Sequence, residues 1–322
     1  MGSVVALAGQ IGGAKLADGL YRLRAQDLTV IVNTGDDFEH LGLALSPDLD
    51  SVLYALAGIA SPTAGWEPQG ESRVAYGMLK ALGGPDRPIV GDKSLAVALL
   101  RTEWLRSERS LTHVTLELCK RMGVVARVLP MSDDPVCTQV LTEDGAVSFH
   151  EYFTELACEP IVRGFYYAGA ADARLSDEVL DALHAHDLEA VVITPANPYH
   201  AIRPILEVHG MRELLRKRGA PIVAVSPIVG GKALKGSAGK MMRELGREPS
   251  ALAVAGEYLG LVDGFVIDRE DARLADSIRS LGMQVLVTQT VMRTDESRLS
   301  LARAVLDFAE AIRETKAAAL QS

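Results

Sequence analysis

Short apolar runs of strand length recur along this chain, and between them apolar residues return every three or four positions. The runs fall at residues 3–8, 28–32, 124–129, 189–194, 221–225, 262–267 and 284–287. The run at 28–32 is unbroken and rich in β-branched residues, which suits a strand buried on both faces of a parallel sheet. Helical spacing follows in Leu16, Leu20 and Leu23, and in Val52, Leu53 and Leu56. Further helices are expected at 72–82, 94–105, 111–122 (with Thr112 as a possible cap), 237–245 and 299–312. Runs at 137–141 and 146–150 flank Glu143-Asp144-Gly145, and an Asp-Gly pair between two β runs signals a hairpin. Strands alternating with helices predict an α/β protein built on a parallel sheet.

The densest candidate chemistry follows the second run. Asn33-Thr34-Gly35 breaks it, and Asp36 and Asp37 come at once. Asp48 and Asp50 then open the next helical segment after Ser46-Pro47. In an open α/β sheet, ligands bind beyond the carboxyl ends of the strands. Carboxylates crowded there suit a hard cation such as Mg²⁺, which takes one or two of them plus substrate phosphate oxygens. The same residues also read as a helix-capping aspartate and solvated loop acids.

Two glycine-rich segments are candidate phosphate sites, the second a basic counterpart to that acidic loop. Gly9 to Lys15 (GQIGGAK) lies between a strand and a helix, where glycines and free N–H groups can cradle a phosphate. It is neither GxGxxG nor a P-loop, so tight packing without a ligand is the other reading. The stretch 226–236 (SPIVGGKALKG) carries Ser226, Lys232 and Lys235 after another strand and is a second candidate phosphate site, or a flexible loop with solvated lysines. Asn197, between Pro195 and Pro198, sits in a stiff loop and can read a donor–acceptor edge. Lys93 near a helix start opposes the helix dipole, which a bound anion or carboxylate would explain, as would plain surface exposure. The seven histidines do not cluster in sequence and read as structural or surface residues, although His40 could join the acidic loop.

Bulk properties narrow the classes. A chain of 322 residues with 48% hydrophobic residues and 23% charged can bury a sizeable core. Aromatics at 5% and a formal charge of -9 argue against a nucleic-acid partner. The three widely spaced cysteines fit neither a disulfide framework nor a zinc site. No apolar run nears the roughly 18 residues of a membrane span, and no signal segment is visible, so a soluble cytoplasmic protein is expected.

The motifs in order are GGAK at 12–15, NTGDD at 33–37, SPDLD at 46–50, GW at 65–66, GDK at 91–93 and LLRT at 99–102. PMSDDPV at 130–136, NP at 197–198, SPIVGGKALKG at 226–236 and FVID at 265–268 complete the series. Together, over nearly the whole chain, they resemble the 2-phospho-L-lactate transferases of coenzyme F-420 (deazaflavin) biosynthesis. The resemblance implies one Rossmann-like domain over 1–322, a parallel sheet with helices on both faces, an inserted cap near 61–168, and a homodimer. It implies transfer of a phospho-three-carbon-acid (2-phospholactate, phosphoenolpyruvate or phosphoglycerate) from a guanosine-diphospho donor. The acceptor would be the 5′-hydroxyl of 7,8-didemethyl-8-hydroxy-5-deazariboflavin, and GMP would leave with Mg²⁺ assisting. Under that reading Asp36 and Asp37 hold the metal, and Asp36 and Asp50 are the catalytic acids. Asp50 and Lys93 contact the acceptor, and Gly12, Gly13 and Lys15 sit by phosphate. Asn197, Ser226, Lys232 and Lys235 serve the guanosine donor.

The chain departs from the family pattern at Gln10 and Ile11, which replace Gly and Thr. It also departs at Ser94 to Ala98, at Thr194 and Ala196, where a serine is lost, and at Gln289. A weaker likeness to nucleotide-sugar-binding regulators of the same fold leaves a non-catalytic alternative. A dinucleotide-dependent dehydrogenase would need GxGxxG and an acid closing the second strand, where this chain has Asn33.

Overall fold

A computed structural model of the chain describes residues 2–217, 219–234 and 236–321. Its centre is a parallel sheet of seven strands. Named in chain order, the strands are β1 (Ser3–Ala8), β2 (Leu28–Val32), β3 (Phe38–His40), β4 (Leu43–Leu45) and β5 (Arg127–Pro130). β6 (Cys137–Thr142), β7 (Gly145–Ser148), β8 (Gly164–Ala168), β9 (Leu188–Ile193) and β10 (Ile222–Val225) follow. The last four are β11 (Ile228–Val229), β12 (Lys232–Ala233), β13 (Gly264–Asp268) and β14 (Gln284–Thr288). The main sheet runs β14-β13-β10-β9-β1-β2-β5.

Strand alternation explains why both faces are covered. Val5, Leu7, Ile31, Val191, Ile193, Phe265 and Ile267 point to one core layer. Val4, Ala6, Ala8, Val30, Val32, Val192 and Val266 point to the other. Successive residues face opposite sides of a sheet, so a run apolar at every position needs helices on both. On the second face lie α1 (Gln10–Arg24), α2 (Pro47–Leu56), α5 (Leu111–Arg121) and the long C-terminal helix Asp295–Gln321. Each such valine or leucine, fully buried, contributes about 1.5–3 kcal/mol relative to exposure.

The stretch 61–168 carries α3 (Val74–Ala81), α4 (Asp92–Arg106) and α5, then returns to the main sheet as β5, its edge strand beside β2. Beyond β5 it forms an antiparallel sheet β7-β6-β8 with a short helix, α6 (Phe149–Thr154). The hairpin around Asp144-Gly145 is the expected one, with Val140 opposite Val147. β8 adds a third strand that no run of apolar residues signalled.

Other differences have local causes. The β5 ladder begins at Arg127 opposite Thr29 rather than at residue 124. The α5 cap is Ser110, whose hydroxyl accepts from His113 N at 3.2 Å, whereas Thr112 N donates to Asp133 at 2.6 Å. The C-terminal helix extends past 312 because its alanine-rich tail has helix propensity but no apolar stripe to mark it. No helix among the described residues is long and apolar enough to cross a membrane.

Candidate active site at the switch point of the sheet

The sheet order sets the location. From β1 the chain moves to β2 on one side, while β9 lies on the other. The loops after β1 and β9 therefore part and open a crevice at their carboxyl ends, where α/β proteins bind ligands. Three loops meet there: Gly9-Gln10 after β1, Asn33 to Asp37 after β2, and Thr194 to His200 after β9.

Asn33, fully buried, ties the three together. Its Nδ2 donates to Asp48 Oδ2 at 2.9 Å and to the His200 carbonyl at 3.1 Å. Its Oδ1 accepts from Gly35 N at 2.9 Å, which shapes the turn that presents Asp36. Asp48 Oδ1 accepts from Gln10 N at 2.9 Å. Gln10 takes a φ of +56°, left-handed backbone that a side chain rarely adopts. His200 lies in a single π-helical turn, Pro198–Ile202, and its Nδ1 is 2.9 Å from Asp36 Oδ2. Its ring stacks on Phe149 with centroids 3.8 Å apart. π-turns are rare and often mark functional sites.

Asp36, Asp48 and Asp50 are all less than a tenth exposed. Asp37 is partly accessible as a residue, but its Oδ1 is sealed from solvent with no hydrogen-bond partner among the described residues, and burial pushes its carboxyl well up. Asp36 Oδ1 is likewise sealed and unpartnered. Asp50 is neutralised differently. Both its oxygens engage the guanidinium of Arg101, Oδ2 at 3.2 Å from Nη1 and Oδ1 closer still, to Nη2. Arg101 is completely buried. The orphaned oxygens of Asp36 and Asp37 are thus the atoms able to hold a cation. Among the described residues no three His, Cys, Asp or Glu side chains converge as a complete cage.

Asp48 supplies a pH signature. Burial pushes its carboxyl up to about 6, nearby Asp36 adds to this, and the Asn33 and Gln10 hydrogen bonds oppose it. Unfolded, an aspartate titrates at about 3.9. Between the two values the folded state holds the extra proton, so stability falls as pH rises through that window. The full effect is about 3 kcal/mol. Urea unfolding of metal-free protein from pH 4 to 6.5 is expected to show this loss, and Asp48→Asn is expected to remove it. Identical pH slopes in the two proteins would contradict this account.

The other sequence candidates divide. Gly12 and Gly13 lie in the first turns of α1, not in an open loop, because the helix begins directly after Gly9. A Cβ on Gly12 would sit 2.2 Å from the Pro195 carbonyl oxygen, and one on Gly13 2.8 Å from Thr194 Oγ1. Here the glycines let α1 close against the β9 loop. Gly12→Ala is expected to destabilise by about 1–3 kcal/mol, read from the urea midpoint at unchanged m-value; an unmoved midpoint would show the approach is not tight. Lys15 Nζ donates to the Met292 carbonyl at 3.1 Å.

Lys93 is exposed at the start of α4, with Nζ on the Gln69 carbonyl at 2.6 Å, and the carboxylate that answers that helix end is Glu71. Arg101 is eight residues further along α4, about 12 Å by helical rise. Asn197 is buried, and both ends of its amide are engaged: Oδ1 accepts from Tyr199 N at 2.9 Å and Nδ2 contacts Met241 Sδ at 3.4 Å. Met241 belongs to the helix Ala238–Glu244, which packs the segment after β10 against the site. Ser226 spends its hydroxyl inside its own turn, on the carbonyl and N–H of Ile228. Lys232 is exposed on the β11-β12 hairpin, whose Gly230-Gly231 turn has φ of +57° and +76°. Lys235 lies outside the described residues.

Two central residues were not predicted. Arg101 lies in the LLRT motif, midway along α4 between its terminal cations Lys93 and Arg106, and His200 sits three positions past Asn197 at a strand end; those were the available signals. His40 lies on β3, partly exposed.

A cleft of about 580 Å³ adjoins the acids, lined among others by Thr34, Asp37, Phe38, Ser46, Ser132 and Pro135. That volume suits a ligand of cofactor size. The acids of the 130–136 motif line the cleft and also brace its wall: Asp133 Oδ1 accepts from Thr112 N, and Asp134 Oδ2 from Arg174 N.

This Rossmann-like parallel sheet carries buried carboxylates at the carboxyl ends of its strands, with a ligand-sized cleft beside them past β2 and β5, the kind of site at which α/β proteins bind small molecules. The model of the 2-phospho-L-lactate transferase CofD family matches residues 4–305, so the chain belongs to that family and is a phospho-group transferase. It is 37% identical over 317 residues to the phosphoenolpyruvate transferase of Streptomyces griseus, covering 96% of this chain and 99% of the relative. It is 36% identical over 304 residues to the 2-phospho-L-lactate transferase of Methanosarcina mazei, covering 94% and 99%. The crystal structure of protein BH3568 from Bacillus halodurans shares the fold, with a TM-score of 0.66 at 18% identity over 95% of this chain and 99% of that one.

Proposed function

We propose that this transferase acts in coenzyme F-420 biosynthesis. It moves a phospho-three-carbon-acid from a guanosine-diphospho donor to the 5′-hydroxyl of 7,8-didemethyl-8-hydroxy-5-deazariboflavin and releases GMP. The observation that carries the reading is the pair of sealed, unpartnered carboxylate oxygens on Asp36 and Asp37 at the switch point. Phosphoryl transfer asks the protein for positioning and charge neutralisation more than covalent chemistry. Mg²⁺, held by those two oxygens, would supply neutralisation of the donor diphosphate.

The remaining roles are those the family resemblance implies. The hydroxyl oxygen forms a bond to the phosphorus that bears the acid, and the bond from that phosphorus to the GMP oxygen breaks. Asp50, fixed by Arg101, orients the acceptor hydroxyl, and Lys93 at the head of the same helix meets the acceptor further out. The start of α1, with Gly12, Gly13 and Lys15, would serve the phosphates. Asn197, Ser226, Lys232 and Lys235 would serve the guanosine donor, Asn197 and Ser226 by shaping their loops and the two lysines by their charge.

Relatives bear names from two different acids, 2-phospho-L-lactate and phosphoenolpyruvate. The test presents the purified protein with Mg²⁺, the deazaflavin alcohol and each guanosine diphospho-acid in turn, phosphoglycerate included. Mass spectrometry is expected to show one acid transferred with equimolar GMP. No product from any of the three would end the proposal.

A homodimer belongs to the same reading. α3 buries none of its residues, and Val74, Met78 and Leu82 are 76%, 62% and 79% exposed. An apolar face of this kind is what a second copy of the chain would cover. Sedimentation at micromolar concentration is expected to give twice the 34.5 kDa chain mass; a monomer would remove this part.

A further inference from the structure

Gln10 and His200 continue the site away from the proposed metal position. Asn197 N donates to Gln10 Oε1 at 3.1 Å. A backbone N–H can only donate, so this bond fixes which end of the Gln10 amide is oxygen. The other end, Nε2, must therefore be the NH₂ group, and it lies 3.1 Å from His200 Nε2. An amide NH₂ can only donate, so His200 Nε2 accepts. A neutral imidazole with one accepting nitrogen carries its proton on the other. His200 Nδ1–H then donates to Asp36 Oδ2, 2.9 Å away. The polarity of the whole chain, Asn197 to Gln10 to His200 to Asp36, is set by one main-chain amide.

We infer that Gln10 and His200 are positioning residues that hold the Asp36 carboxylate in one orientation, with Oδ1 free for the cation, and that couple it to the Asn197 loop. The inference rests on the reading of Asp36 as a cation ligand. Two further observations support it. Gln10 keeps a left-handed backbone that costs a side-chain-bearing residue about 1–2 kcal/mol, and such strain persists where a function uses it. His200 is 1% exposed and clamped against the Phe149 ring, so the imidazole has no room to turn away. Partners that orient a metal ligand from behind typically matter about 10–100-fold in metal affinity.

The first test needs neither metal nor substrate. In metal-free protein carrying ¹⁵N-histidine, one imidazole, identified by its absence in His200→Asn, is expected to hold its proton on Nδ1. In Gln10→Leu its Nε2 resonance is expected to move toward that of an imine nitrogen without a donor. A proton on Nε2, or no change in Gln10→Leu, overturns the inference. The second test uses Mn²⁺ alone, followed by the electron paramagnetic resonance of the free ion. His200→Asn keeps a side-chain N–H where Nδ1–H stood and is expected to bind within about 3-fold of the parent. His200→Leu is expected to bind about 10–100-fold more weakly. Equal binding by all three proteins overturns it. If the parent binds no Mn²⁺, Asp36 is not a cation ligand and the inference falls with that role. Failure of the transferase assay alone leaves both tests standing.

Discussion

Asp36→Asn is expected to lower kcat about 10³-fold while the protein stays folded. The substitution removes one charge and leaves an amide of the same shape, whose oxygen can still accept from His200 Nδ1. What it loses is the sealed Oδ1, which has no hydrogen-bond partner among the described residues and is one of the two oxygens proposed to hold Mg²⁺. Removing one preorganised electrostatic contact to a developing charge costs about 10²–10³-fold in rate, and a lost metal ligand lies at the upper end. Stability is expected to hold or rise in metal-free protein, since Asp36 also helps push the neighbouring Asp48 carboxyl up. Steady-state turnover and urea unfolding measured together separate the two effects. Turnover within tenfold of the parent would take Asp36 out of the chemistry.

Arg101→Met should give the largest loss of stability in the site, about 3–5 kcal/mol, because it strands Asp50 as a buried charge without its partner. Burial opposes the charge on the Arg101 guanidinium, but Asp50 first and then Asp37 outweigh it and keep the group firmly protonated. The double variant Arg101→Met with Asp50→Leu should recover most of the loss, since a buried pair replaced by apolar residues is often near neutral. Denaturant midpoints of the two single variants and the double variant form the cycle that isolates the pair. A loss below about 1 kcal/mol in Arg101→Met would place this ion pair with ordinary surface bridges.

The fold was largely legible because a parallel sheet covered on both faces writes itself as continuous apolar runs, as at Leu28–Val32 and Leu188–Ile193. β8 was not, since Gly164–Ala168 is a half-exposed strand with two tyrosines and no alternation to separate it from a loop. Within the site, Asp36, Asp37, Asp48 and Asp50 were legible because they crowd one short stretch. Their division of labour was not. That Asp50 belongs to Arg101 and Asp36 to His200 depends on residues 51 and 164 positions away. The glycines at 12 and 13 show a second limit. A glycine-rich turn after a strand suggests a phosphate cradle, while the close approach of the Pro195 carbonyl to Gly12 and of the Thr194 hydroxyl to Gly13, both far along the chain, is visible only in the fold.

Sequence alone determined the strand and helix periods, the parallel class, and the placing of acids and glycines at strand ends, because each of these is a local property of side-chain pattern and backbone freedom. The tertiary structure decided which carboxylates are neutralised and which are left open. Pairing is a matter of distance in space, and it was the folding of β1, β2 and β9 side by side that brought Gln10, Asp36 and His200 within reach of one another.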